Sequence, residues 1–131
     1  ATGSMLWPCP SCHTITSEFG WRYHPIYHTQ KYHSGVDIGA SYGASIVAAD
    51  GGTVITAGAV SGYGNCVVIN HGNGITTLYG HMSSIAVSSG QKVSKGQTIG
   101  YVGSTGNSTG PHLHWEVTVN GVRQNPLNYA R

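Results

Sequence analysis

The chain has few charged side chains and no long apolar run. Asp, Glu, Lys and Arg make up 8% of its 131 residues, against roughly 25% in an average soluble domain. Hydrophobic residues form an ordinary 39%, so disorder is not expected. No stretch approaches the roughly 18 apolar residues of a membrane-spanning helix, so no membrane span is predicted. The formal net charge is only +2 and no basic block occurs, which argues against nucleic acid as the partner.

Uninterrupted segments of helical length are also missing. Twenty glycines and five prolines divide the chain, and the longest run without either is nine residues, so an ordinary helix would contain a breaker. Short β-branched stretches recur instead, at residues 45–48, 52–57, 66–70, 75–79, 98–102 and 112–119. Asn73-Gly74 and Asn120-Gly121 each follow such a stretch, and Asn-Gly supplies the two positive-φ residues of a type I′ hairpin. These features predict an all-β fold, a compact antiparallel sheet with a groove over the sheet and little or no helix.

The length predicts one domain, since about 131 residues lies near the commonest domain size. We expect this domain to cover residues 6–131. Residues 1–5 include Gly-Ser-Met, which resembles a cloning remnant, so the lack of a targeting segment in this sequence carries little weight.

Eight histidines against four carboxylates direct attention to imidazole-based metal chemistry. His33 and Asp37 are four residues apart, which is about 13 Å in an extended chain and too far for one ion. A bend at Gly35 would bring both side chains within the roughly 2.0–2.2 Å that Zn²⁺ requires. The alternative is a solvated loop histidine beside an aspartate in a turn, and the segment taken alone favours that alternative.

A second histidine segment has the alternation of a β-strand. His112, His114 and Glu116 fall on one face, and the apolar residues between them fall on the other. Two neighbouring imidazoles on a half-buried face are costly unless something binds them, so a metal site and polar surface histidines are equally compatible with the segment. His81 follows a stretch of strand at a glycine and, taken alone, would be assigned to a loop.

Together these motifs resemble a known family. The motifs are ITSEFGWR at 15–22, HSGVDI at 33–38, YGHM at 79–82 and GNSTGPHLHWE at 106–116. In this order, and over residues 6–129, the chain closely resembles the lysostaphin-like (LytM-type) zinc endopeptidases of peptidoglycan. The resemblance implies that His33, Asp37 and His114 bind zinc and that His81 and His112 are an unliganded catalytic pair.

The implied mechanism relies on histidines. Three protein ligands leave a fourth zinc position for water, as in catalytic sites. The HExxH motif of many zinc peptidases is absent, so His81 and His112 are expected jointly to deprotonate the water, stabilise the oxyanion and protonate the leaving amine. Which histidine does which is undecided. Glu116 either orients a ligand imidazole through its second nitrogen or is a surface glutamate.

The three cysteines and several histidines suggest other roles. Cys9 and Cys12 match the C-x-x-C-H attachment motif of c-type haem, but the rest of the chain does not support haem, and a local disulfide between them is favoured in an exported enzyme. Cys66, inside a predicted strand, is expected to be a buried, inert thiol. Three further histidines are assigned to surface loops: His13, His28 and His71.

The sequence therefore predicts a zinc-dependent endopeptidase that hydrolyses peptide bonds in the stem peptides or cross-bridges of peptidoglycan. The alternative is a catalytically silent peptidoglycan-binding or regulatory module of the same fold. The expected cofactor is Zn²⁺ and the expected partner is peptidoglycan, with no nucleic acid. We expect a monomer outside the cytoplasm, in the cell wall or secreted.

Overall fold

The regular secondary structure of the described residues is almost entirely β-strand. A computed structural model describes residues 4–24, 29–106 and 110–130. Its elements in chain order are β1 (Thr14–Ser17), β2 (Gly20–His24), β3 (Thr29–His33), β4 (Val36–Gly39), β5 (Ser45–Val47), β6 (Gly52–Val60), β7 (Gly64–Gly72), β8 (Ile75–Ile85), β9 (Lys92–Val93), β10 (Thr98–Val102), β11 (His112–Val119), β12 (Val122–Gln124) and a 3-10 turn at Pro126–Asn128. The predicted all-β class is confirmed. Within the described residues, no helix has the length and apolar composition needed to cross a membrane.

Ten of these strands form one sheet, and β11, which contains His112 and His114, lies between two other strands of that sheet. The strand order is β1-β4-β11-β8-β7-β6-β9, with β10 paired to β5 and β8 and with β12 paired to β11. Strands β2 and β3 form a separate two-stranded ribbon. Strand β11 is antiparallel to β4 on one side and to β8 on the other. Residues of three distant chain segments therefore face one another across adjacent strands.

Two tight turns fix the register of the hairpins. Asn73 and Gly74, which join β7 to β8, have φ of 53° and 77°. Asn120 and Gly121, which join β11 to β12, have φ of 52° and 80°. Both pairs have the positive φ values that a type I′ turn requires, so this prediction is confirmed. The predicted bounds of β10 and β11 are correct, whereas β6, β7 and β8 each extend beyond the predicted stretch.

The apolar face of β11 lies in the core, as its alternation predicts. Leu113, Trp115 and Val117 are fully buried. The ring of Trp7 packs edge-on against Trp115, with 5.9 Å between the ring centroids. Since Trp7 belongs to the segment before β1, this contact attaches that segment to the back of the central strand.

The three cysteine side chains are buried. Cys9 and Cys12 lie at the two ends of a turn in which the Cys12 N–H donates to the Cys9 carbonyl over 3.0 Å. Their burial does not suit attachment of haem, which needs accessible thiols. Both side chains are free thiols, so the structure does not contain the Cys9–Cys12 disulfide that the sequence analysis favoured. Cys66 has no exposed surface in β7, in agreement with the expected buried thiol.

The surface-loop assignment of His71 is wrong. This residue lies in β7 with 6% of its surface exposed. Its Nδ1–H donates to the Gly51 carbonyl over 2.9 Å, and its Nε2 accepts from the Thr77 hydroxyl over 2.7 Å. The Tyr79 hydroxyl lies 2.7 Å from Thr77 Oγ1 and accepts from the Ala49 N–H. The alternation of β7 turns His71 toward the interior, where hydrogen bonds to Gly51 and Thr77 use both of its ring nitrogens. His13 is exposed and stacks on Trp7, and His28 lies outside the described residues.

Burial of His71 should make the fold sensitive to acid. Burial lowers its pKa below 6.5, although the Gly51 carbonyl and Asp50 act in the opposite direction. Because the unfolded chain takes up this proton first, the contribution of neutral His71 is complete above about pH 6.5 and is lost as the pH falls.

We expect His71→Leu to lower the free energy of unfolding by about 1–3 kcal/mol near pH 7.5, because buried polar groups lose their partner. The variant should also lose less further stability than the wild type between about pH 7.5 and 5.5. Urea unfolding of both proteins tests this, and the other titrating groups cancel in the comparison. Equal losses in the two proteins would contradict the assignment.

Candidate metal centre

Three side chains with metal-ligating atoms converge beside the central strand. His33, Asp37 and His114 each offer an atom, and these atoms lie within 4.8 Å of one another. Asp37 in β4 is directly opposite His114 in β11, and His33 is carried to them by the bend between β3 and β4. His33 Nε2 is 3.4 Å from Asp37 Oδ2, and His114 Nδ1 is 2.9 Å from Asp37 Oδ1. The spacing and the sheet register together therefore produce the predicted cluster.

The glycine in the HxxxD segment is required for a reason that the sequence did not show. Gly35 does not have a positive φ. A Cβ atom at this position would lie 2.3 Å from the Trp115 carbonyl oxygen and 2.8 Å from Glu116 Cγ. Only a glycine lets the bend lie against β11, so the bend is predicted correctly but its glycine serves close approach of two backbones.

The ring nitrogens suit a shared cation. His33 Nδ1–H donates to the Glu18 carbonyl over 2.9 Å, which leaves Nε2 on the side of Asp37. His114 Nε2–H donates to Glu116 over 2.8 Å, which leaves Nδ1 on that same side. Two imidazole nitrogens and a carboxylate oxygen form a donor set that is typical of Zn²⁺. The residues present therefore fit a zinc ion.

Glu116 contacts the metal-ligand cluster through the ring of His114. It is 2% exposed and accepts hydrogen bonds from His114 Nε2, Ser34 Oγ (2.6 Å), Tyr63 OH (2.7 Å) and Arg123 Nε (3.0 Å). A buried carboxylate with four donors is a fixed acceptor, so it determines the orientation of the His114 ring. The sequence left open whether Glu116 orients a ligand imidazole or is a surface glutamate, and its burial and its contact with His114 support the first interpretation. Sequence reasoning missed the partners Ser34, Tyr63 and Arg123: Ser34 lies within the HSGVDI motif but has no ligand role there, and the other two come from segments with no motif of their own.

These contacts shift the protonation of the cluster. Burial acts to raise the pKa of Asp37, but hydrogen bonds with His114 and His33 hold it well below its usual value. Burial likewise opposes ionisation of Glu116, yet its hydrogen bonds with His114 and Ser34 lower its pKa to about 2. For His114, the two carboxylates outweigh burial and raise the pKa to about 9. Metal binding would therefore displace a proton from His114 Nδ1.

The remaining two histidines form a pair beside this cluster. The ring centroids of His81 and His112 are 4.6 Å apart. His81 Nδ1–H donates to the Thr105 carbonyl over 2.6 Å, and His112 Nδ1–H donates to the Gly110 carbonyl over 2.9 Å. His112 Nε2 lies 3.6 Å from Asp37 Oδ1. Burial lowers the pKa of His81. A histidine kept neutral in this way is suited to accept a proton near neutral pH.

His81 does not lie in a loop, as its sequence context alone would suggest. Strand β8 continues through it to Ile85. The interruption is instead a single positive φ of 61° at His81, which is uncommon for a residue other than glycine. Its N–H donates to the Tyr63 carbonyl and its carbonyl accepts from the Gly103 N–H. Neighbouring segments therefore hold a backbone conformation that turns this side chain toward His112.

Comparison with known proteins identifies the family of this chain. A family profile described as Peptidase family M23 matches residues 31–126, which include all five residues of the cluster and the pair. The chain belongs to peptidase family M23. The resemblance predicted from the motifs is thereby confirmed.

Among curated relatives, the DD-carboxypeptidase/endopeptidase Mpg of Neisseria meningitidis is 47% identical over 116 residues, covering 88% of this chain and 27% of that protein. The murein hydrolase activator NlpD of Salmonella dublin is 42% identical over 96 residues, covering 72% and 25%. The chain thus spans about a quarter of the length of these two relatives.

Solved M23 structures share the fold. A zinc-containing peptidase from Vibrio cholerae superposes with a TM-score of 0.85 at 36% identity, over 91% of this chain and 37% of that one. The catalytic domain of lysostaphin from Staphylococcus simulans gives 0.80 at 32% identity, over 89% and 91%.

Proposed function

We propose that this chain is a zinc-dependent endopeptidase that hydrolyses peptide bonds in the stem peptides or cross-bridges of peptidoglycan. The observation that carries the proposal is the arrangement of five side chains: three converge on one point, and two further imidazoles lie beside them without belonging to the donor set. A purely structural metal site needs no such second pair.

His33, Asp37 and His114 would hold the metal. A bound Zn²⁺ supplies Lewis acidity, which polarises the scissile carbonyl and brings the pKa of water to about 7. Glu116 keeps the His114 ring in one orientation, with Nε2–H bonded to the carboxylate. Asp37, whose carboxylate stays ionised well into the acid range, contributes the negative charge of the donor set.

His81 and His112 would carry out the proton transfers of the reaction. Each ring donates Nδ1–H to a backbone carbonyl, so Nε2 is the nitrogen left to exchange a proton with substrate. Acting jointly, they accept the proton of the attacking water, hydrogen-bond the developing oxyanion and protonate the leaving amine. Their separation of 4.6 Å lets both reach one peptide bond.

The proposed partner is peptidoglycan, and the proposed location is outside the cytoplasm, in the wall or secreted. The relative Mpg is named a DD-carboxypeptidase/endopeptidase, NlpD is named a murein hydrolase activator, and ShyA of Vibrio cholerae, 42% identical to this chain, is named a peptidoglycan DD-endopeptidase. We propose that the chain acts as a monomer, because the five site residues all come from one copy.

A catalytically silent regulatory module is the second candidate, because one relative is named as a hydrolase activator. The side chains favour the enzyme. A silent module has no need of a buried glutamate with four donors that orients a ligand histidine, nor of a histidine held at a positive φ. Strained or heavily supported residues of this kind cluster at functional sites.

Release of amino groups from purified sacculi separates the two candidates. We expect the zinc-loaded protein to release new amino groups, a chelator to abolish release and added Zn²⁺ to restore it. Mass spectrometry of the products from walls with different cross-links would identify the bond that is cut. Binding to sacculi without any release would favour the regulatory module.

Loss of the Glu116 carboxylate should weaken the metal site. We expect Glu116→Gln to lower zinc affinity by about 10–100-fold, as is typical when the partner of a ligand histidine is removed. Competition with a chromophoric chelator measures this. The matched control is Glu18→Gln, since the Glu18 side chain is exposed and only its backbone carbonyl contacts His33. Equal affinity of the two variants would show that Glu116 does not support the site.

A further inference from the structure

Thr105 joins three backbone segments around His81. Its carbonyl accepts from His81 Nδ1–H over 2.6 Å. Its hydroxyl donates to the Met82 carbonyl over 2.7 Å and accepts from the Asn65 N–H over 3.0 Å. The Thr105 hydroxyl thus contacts β7 and β8, and the Thr105 carbonyl contacts the ring of His81.

The Thr105 hydroxyl forms hydrogen bonds with two backbone groups, the Asn65 N–H and the Met82 carbonyl, at places where the strand pairing is irregular. The β7–β8 register shifts between Asn65 and Val67, and the β10–β8 register shifts between Tyr101 and Val102. Met82 pairs at both irregularities, next to the positive φ of His81. A hydroxyl offers one donor and two acceptor sites, and here the Asn65 N–H and the Met82 carbonyl use both functions.

The backbone around Thr105 has no freedom to shift toward the sheet. A Cβ at Gly64, which has φ of 67°, would lie 2.4 Å from both the carbonyl carbon and Oγ1 of Thr105. A Cβ at Gly106 would lie 2.4 Å from the Gly64 nitrogen. The start of β7 and the loop after β10 are therefore in direct backbone contact. The Thr105 hydroxyl fixes its own carbonyl within this contact.

We propose that Thr105 is a positioning residue, which holds His81 in the tautomer with the proton on Nδ1 and directs Nε2 toward the reacting bond. A carbonyl only accepts hydrogen bonds, so the ring nitrogen that faces it carries the proton and the other nitrogen is left unprotonated. The Thr105 carbonyl faces Nδ1 in this way, and the hydroxyl keeps the carbonyl in place. This proposal rests on the proposed peptidase function, because it assigns His81 a part in the hydrolysis.

The test compares the zinc-loaded wild type with Thr105→Val, which removes the hydroxyl at nearly constant shape, and Thr105→Ser, which restores it. Two-bond ¹H–¹⁵N spectra of the histidine rings report the tautomer of His81, and kinetics on a soluble cross-linked muropeptide report kcat and KM. Thr76→Val, the same change at the far end of β8, is the matched control.

In the wild type and in Thr105→Ser we expect protonated Nδ1 and unprotonated Nε2 at His81. In Thr105→Val we expect mixed tautomers and a kcat lower by about 10–100-fold, with KM within about twofold. Zinc content should not change in any variant. If Thr105→Val does not fold, Thr105→Ala removes the hydroxyl with a smaller side chain.

An unaltered His81 spectrum in the variant without the hydroxyl would overturn the proposal, whether or not kcat falls. A loss of kcat that Thr105→Ser does not restore would also overturn it. If the wild type releases no product, the proposed function fails instead, and the spectra still decide whether Thr105 sets the tautomer.

Discussion

Replacing His81 or His112 by alanine is expected to lower peptide hydrolysis by about 10²–10⁴-fold, which is the usual loss when a general acid or base is removed. Zinc content should remain that of the wild type, because neither ring belongs to the donor set of His33, Asp37 and His114. Amino-group release from sacculi and metal analysis of the same samples measure the two effects.

The control for these variants is His13→Ala. His13 is exposed and stacks on Trp7, away from the cluster, so its removal should leave hydrolysis unchanged. Retained activity in His81→Ala or His112→Ala would refute the assigned roles. Loss of zinc in either variant would mean that the ring is itself a ligand.

Asp37→Asn should remove both zinc and activity. The substitution keeps the shape of the side chain but removes the negative charge that His33, His112 and His114 surround. Loss of an outer partner alone typically costs 10–100-fold in affinity, so loss of this ligand should cost more than about 100-fold. Activity at ordinary zinc concentrations should fall to background.

Titration with a fluorescent zinc competitor measures the affinity of Asp37→Asn, and circular dichroism verifies that the strands are retained. Glu18→Gln again provides a control with one charge removed at an exposed position. Binding of zinc by Asp37→Asn at wild-type affinity would rule out Asp37 as a ligand.

The sequence predicts the parts of the fold that depend on local chemistry. The two Asn-Gly turns, the bounds of β10 and β11, and the buried apolar face of Leu113, Trp115 and Val117 follow from residue type and periodicity. The set of five site residues could be predicted only from the resemblance to the lysostaphin-like family, because no spacing within the chain reveals that His81 contacts His112.

The parts that could not be predicted depend on contacts between distant segments. His71 looks like a loop histidine until Gly51 and Thr77 are placed beside its ring. Gly35 looks like a flexible bend until the Trp115 carbonyl is seen against it. Ser34 lies 82 residues from Glu116, its hydrogen-bond partner. Pairings of this kind become visible only when the strand order is known.

The central place of β11 has a consequence for how the protein is inactivated. Asp37, Gly80 and His114 lie side by side on β4, β8 and β11. Strands in the middle of a sheet separate only in the largest opening events, whereas edges and loops fray at low cost. Mild heating that loosens the periphery should therefore leave Asp37 and His114 side by side. Thermal loss of activity should then coincide with cooperative melting, and amide exchange at His114 should be among the slowest in the chain.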